Sequence, residues 1–148
     1  MKKSLAFALA ITLTAVLVSA QTSTWNQDFK KAMALSQKTG KPVLIDFSGT
    51  DWCSWCIKLD KEVFSKRAFK QYAKKDLILM LAAFPKWAPL AADLKAQNEE
   101  LAQKFSVEGF PTVVLLNSKG ETIGRTGYQP GGPEKYVQHL KEIIGGSK

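Results

Sequence analysis

The only two cysteines of this 148-residue chain are separated by two residues, in Trp52-Cys53-Ser54-Trp55-Cys56. A pair at this spacing can bridge, hold a metal, or exchange disulfides. A bridge would close almost no loop, so it would constrain the unfolded chain very little. Half a zinc site would need a second Cys or His pair, and His139 is the only histidine. A four-ligand site within one chain is therefore nearly excluded. Thiol–disulfide exchange needs just what the pair offers, one thiolate that attacks and a second thiol that resolves the mixed disulfide. An incidental pair or a structural bridge is the bland alternative.

The elements around the pair decide whether it can react. Val43-Leu44-Ile45-Asp46-Phe47 is a short β-branched apolar run, read as a buried strand. Gly49–Asp51 is a loop, and a helix follows over about Cys53–Val63. Cys53 then stands at a helix N-terminus, where unpaired N–H groups and the helix dipole favour a thiolate. Cys56 lies one turn further in, with the higher pKa expected of a resolving thiol. Asp46 is an acid inside an apolar strand. It is either satisfied by local donors or is a buried carboxyl with a raised pKa, able to take the Cys56 proton.

The remaining elements follow from pattern. Thr24 and Gln27 make a capping box for a helix over about 25–38. Ser65 caps a short helix through Lys74, Leu77–Phe84 is a second buried strand, and Leu90–Phe105 is a helix. Pro111–Leu116 and Glu121–Gly127 form a hairpin around Gly120, and Pro133 opens a last amphipathic helix. This is an α/β chain with a parallel sheet, made mixed by the closing hairpin, and helices on both faces. About four strands are expected.

Residues 1–20 read as a signal peptide: Met1-Lys2-Lys3, an apolar run to Val18, then Val18-Ser19-Ala20 before Gln21. The apolar run is short for a membrane span. Residues 21–148 form one domain, and losing Lys2 and Lys3 lowers the formal charge from +8 to +6. The protein is expected to be exported, into the periplasm if the source is a Gram-negative bacterium, where disulfides persist.

Val43–Phe47, Trp52-Cys53-Ser54-Trp55-Cys56 and Gly109-Phe110-Pro111-Thr112, in that order, resemble the thioredoxin family. The resemblance covers most of residues 21–148. The stretches Phe47–Cys53 and Cys56–Phe64 narrow it to secreted bacterial thioredoxin-like proteins, related to the C-terminal domain of the periplasmic transmembrane disulfide reductase. It implies a thioredoxin fold, with Cys53 and Cys56 as the redox pair and Asp46 as a buried proton acceptor. It also implies a cis bond before Pro111, which faces the disulfide, and a Phe110 backbone that receives an extended substrate. No cofactor beyond the Cys53–Cys56 disulfide and no metal are implied. The central Ser54-Trp55 differs from the Gly-Pro of thioredoxin and from the His-containing pairs of strong oxidants. No lysine in Leu77–Phe84 accompanies the buried acid.

Trp52 is expected to cover the disulfide and Trp55 to face partners, with Phe110 and Tyr128 completing a rim or packing inward. Residues 58–75 carry seven basic side chains against Asp60 and Glu62. A solvated helical face explains them, and steering toward an acidic partner or membrane surface is the functional alternative. Nucleic acid is not an expected partner. The reading is a monomeric thiol–disulfide oxidoreductase acting on protein thiols and disulfides with a redox partner, as a reductase more than an oxidase. A redox-inert binding module or a Cu(I) thiolate carrier is the alternative.

Overall fold

A computed structural model describes residues 25–146. The expected signal peptide and Thr24 of the expected capping box lie outside the described residues.

The apolar run at the first strand becomes β1 (Val43–Ser48), buried along its whole length. It pairs in parallel with β2 (Ile78–Ala83), Val43 opposite Ile78 and Ser48 opposite Ala83. On its other side lies β3 (Thr112–Leu116), antiparallel, with Asp46 opposite Val113. β4 (Thr122–Thr126) closes a β3–β4 hairpin, and the sheet order is β2-β1-β3-β4. The sheet is mixed, but more so than expected: the one parallel pair is β1–β2, and β3 runs against β1. An apolar run buried on both faces, as β3 is, reads as a parallel strand, and nothing local in the sequence signals its reversal.

Side-chain alternation sends the two faces of β1 into two cores. Val43, Ile45 and Phe47 pack with Ala32 of α1 (Phe29–Thr39) and Leu101 of α4 (Ala92–Lys104). Leu44 packs with Leu59 of α2 (Ser54–Leu59), Phe69 of α3 (Arg67–Asp76) and Tyr136 and Leu140 of α5 (Gly132–Gly145). Asp46 has the same parity as Leu44 and so falls on the face that carries α2. Among the described residues no helix is long and apolar enough to cross a membrane.

Several boundaries differ from expectation for local reasons. α1 starts at Phe29 because the Asp28 carboxylate caps it, accepting from Lys31 N–H at 3.0 Å. The residues before it run along the sheet edge instead, where Asn26 bridges Met80 in parallel. The helix expected over Cys53–Val63 is α2 followed directly by a π segment, Asp60–Phe64. Ser65 does not cap α3; its hydroxyl donates to Asp60 Oδ2 at 3.0 Å, and Lys66 holds the cap position.

Candidate active site

β1 ends at Ser48, and the chain turns through Gly49 into α2. A side chain on Gly49 would put its Cβ 2.6 Å from the Trp52 ring and 2.9 Å from Cys53 Cβ, so glycine is what lets the turn close. Cys53 N–H donates to Gly49 O at 2.9 Å. Cys53 then takes the N-cap position of α2, and its Sγ accepts from Cys56 N–H at 3.2 Å. The two cysteines form a disulfide, with Cα atoms 5.2 Å apart. Both are buried, Cys56 slightly the more so. The Phe110–Pro111 peptide is cis.

Beneath the pair lies a cavity of about 320 Å³, and Cys56, Asp46 and Asp60 all line it. Asp46 is buried and its Oδ1 has no hydrogen-bond partner. Local protein donors therefore leave this oxygen unsatisfied. Burial, and secondarily the negative charge of Asp60, push the Asp46 pKa up to about 7. That places its proton exchange in the neutral range, where an acid–base group is effective. Among the described residues no group of three or more His, Cys, Asp or Glu side chains forms a metal-ligand set.

The four aromatics expected to rim the pair fall into two sets. Trp52 packs edge-on to Phe110 at 5.9 Å, Phe110 lies against Phe84 at 4.9 Å, and Trp52 Nε1–H donates to Phe84 O at 2.7 Å. Trp55, about half exposed, instead meets Tyr128 at 5.1 Å. Lys58 Nζ sits over both of these rings, 5.0 and 5.2 Å from their centroids. The Tyr128 hydroxyl donates to Glu62 Oε2 at 2.6 Å, a bond that holds its proton on and raises its pKa. His139 plays no part here; its Nε2 is 2.8 Å from Thr126 Oγ1.

Two acids were not singled out from sequence. Asp60 stands four residues after Cys56 in a helix, the spacing that shares a face, so a readable signal existed. Asp51 carries none. Its carboxylate accepts from the backbone N–H groups of Lys86, Trp87 and Ala88 at 2.8–2.9 Å, partners 35–37 positions away. Those bonds, that from Lys86 foremost, lower its pKa.

Comparison with known proteins gives a consistent result. The chain is 30% identical over 118 residues to the disulfide bond reductase DsbH of Chlamydia pneumoniae, covering 80% of this chain and 71% of that protein. It is 32% identical over 113 residues to the thiol:disulfide interchange protein DsbD of Yersinia pestis, covering 72% of this chain but only 17% of that much longer relative. The solved structure of a DsbH oxidoreductase superposes with a TM-score of 0.80 at 28% identity, over 95% of this chain and 94% of that one. The family model described as a thioredoxin-like domain matches residues 29–144, and on these grounds, with a four-stranded mixed sheet carrying a Cys-x-x-Cys disulfide at the start of α2, the chain belongs to the thioredoxin-like family.

Proposed function

We propose that this protein is an exported thiol–disulfide oxidoreductase that reduces protein disulfides. The observation that carries the reading is the Cys53–Cys56 disulfide, whose Cys56 shares a cavity with a buried Asp46 that has an unpartnered Oδ1. The reducing direction is supported by the buried acid, by the absence of a histidine near Cys53, and by likeness to a relative named as a disulfide bond reductase.

In the reduced protein, the Cys53 thiolate attacks one sulfur of a substrate disulfide. An S–S bond forms to Cys53 and the other substrate sulfur leaves as a thiolate. Cys56 then gives its proton to the Asp46 carboxylate and attacks Cys53 Sγ. The mixed disulfide breaks, the second substrate sulfur leaves, and the Cys53–Cys56 disulfide remains. Two electrons have passed from the pair to the substrate, and a partner dithiol must restore them. Phe110 and Pro111 align the substrate strand, with Trp52 and Trp55 as flanking contacts. The source compartment is the extracytoplasmic space, reached through the signal segment 1–20 and, in a Gram-negative source, the periplasm.

The test is reduction of insulin with dithiothreitol as donor. The wild-type protein should accelerate it, Cys53→Ser should abolish the acceleration, and Cys56→Ala should accumulate a mixed disulfide on Cys53. Full activity in Cys53→Ser would refute the mechanism. A reduction potential near that of the strong oxidants, about −120 mV, would reverse the direction. N-terminal sequencing of the exported protein should begin at Gln21; a start at Met1 would refute cleavage.

A further inference from the structure

The loop after β2 is built against the active-site loop, with Phe84, at its start, packed on the core. Phe84 N–H donates to Ser48 O at 2.8 Å, and Phe84 O accepts the Trp52 indole N–H at 2.7 Å. One carboxylate, Asp51, then collects three successive backbone N–H groups from Lys86, Trp87 and Ala88. Lys86 Nζ lies 4.3 Å from the centroid of the Trp52 ring. On its other side the loop has little behind it: a cavity of about 230 Å³ separates Phe84, Ala88 and Leu90 from Lys95 and Glu99 of α4. Beyond Phe84 the loop's backbone is therefore held at residues 86–88 by Asp51, two residues before Cys53, and the indole it presents, Trp87, is 75% exposed. An exposed tryptophan alone means little; one whose N–H, with those of its two neighbours, is held by a carboxylate two residues before the reactive cysteine is a prepared contact.

Charge indicates what it contacts. Lys58 and Lys86 sit over the aromatic rings on the two sides of the pair, at Trp55/Tyr128 and at Trp52. The acids nearby are engaged, Asp51 with backbone N–H groups and Glu62 with the Tyr128 hydroxyl and Lys58. Lys58 is thus paired with Glu62, whereas Lys86 Nζ has no ion pair among the described residues, so the cation left for a visitor is Lys86, over Trp52.

We propose that residues 84–88 form one wall of the substrate groove, with Trp87 as an apolar contact, Lys86 as an anion contact and Asp51 as the positioning residue. The occupant is a polypeptide with an apolar and an acidic side chain flanking its reactive cysteine. This rests on the oxidoreductase reading above and adds what the substrate looks like.

The test compares three disulfides with dithiothreitol as donor: a peptide with Phe and Glu flanking cysteine, the same peptide with Ser and Lys, and 2-hydroxyethyl disulfide, too small to reach along the loop. Wild-type protein should favour the Phe/Glu peptide about tenfold through KM, the order of one good aromatic or charged contact. Trp87→Ala, Lys86→Ala and Asp51→Ala should each raise KM for that peptide several-fold and leave kcat little altered, with a much smaller effect on 2-hydroxyethyl disulfide. Equal losses on all three disulfides in Asp51→Ala would mean a structural role only and would overturn the positioning claim. An unchanged peptide KM in Trp87→Ala would overturn the wall. Self-association that Trp87→Ala abolishes, with peptide KM unmoved, would make the surface a contact between copies and overturn the substrate assignment. Wild-type protein that reduces none of the three would overturn the oxidoreductase reading itself, and this inference with it.

Discussion

Replacing Asp46 by Asn should make the oxidised protein more stable, by an amount that depends on pH in a defined way. Asp46 has a folded pKa of about 7 against an ordinary 3.8, a shift caused first by burial and then by Asp60. The folded state thus holds a proton that the unfolded state releases between pH ~4 and ~7. Folded molecules bind more protons in that window, so raising the pH through it destabilises the fold. At about 1.4 kcal/mol per pKa unit, the shift of about three units amounts to roughly 4 kcal/mol of destabilisation at full effect. Against typical stabilities of 5–15 kcal/mol this is large. Asn keeps the shape and removes the charge. Below pH ~4 it should match the wild type, since both side chains are then neutral and Oδ1 is unpartnered in either case. Above pH ~7 it should gain about 4 kcal/mol. Urea unfolding under non-reducing conditions at pH 4–8.5 reads this directly; with a slope of about 1–3 kcal/mol/M, the midpoint at pH 8 should move by roughly 2 M. Asp60→Asn should give a smaller gain in the same direction, because burial is the larger cause. A stability difference that stays flat from pH 4 to 8.5 would show that Asp46 is not held protonated, and the reasoning would fail.

The same acid should appear in kinetics: the Asp46 carboxylate accepts the Cys56 proton, so release of a pre-formed mixed disulfide should speed up as pH rises toward about 7. Asp46→Asn should flatten that profile and slow release about a hundredfold, the scale of general-base assistance; an unchanged profile by stopped-flow would remove Asp46 from the step. Gly49→Ala would drive a methyl into Trp52 and Cys53, which should cost about 1–3 kcal/mol in thermal or urea unfolding and change Trp52 fluorescence; a neutral effect would mean the turn has slack. Tyr136→Phe removes a buried hydroxyl that donates to Gly127 O at 3.1 Å and should cost about 1 kcal/mol, measured by urea unfolding, with disulfide reduction unaffected.

Much of the site was legible because its signals are local. The apolar run Val43–Phe47 marks a buried strand, an acid within it is conspicuous, and a Cys-x-x-Cys after a short glycine loop marks a helix start. Each depends on a few neighbouring residues and on periods of two or 3.6. Even Asp60 could have been found, one helical turn past Cys56. What failed locally was capping: Thr24 and Gln27 looked like a helix start, but the Asp28 carboxylate is the group that meets a free N–H, and the residues before it are claimed by the sheet edge at Met80.

The amino-acid sequence by itself determined the redox pair, the strand that carries Asp46, and the order of helices and strands. Only the tertiary structure decided the antiparallel direction of β3, the division of the aromatics into a Trp52–Phe110–Phe84 set and a Trp55–Tyr128 set, and the hold of Asp51 on residues 86–88. The reason is the same in each case. These features join residues tens of positions apart, and no local periodicity or propensity encodes such a pairing. It arises when two cores form on opposite faces of β1 and bring the loops after β1, after β2 and before β3 to one end of the sheet.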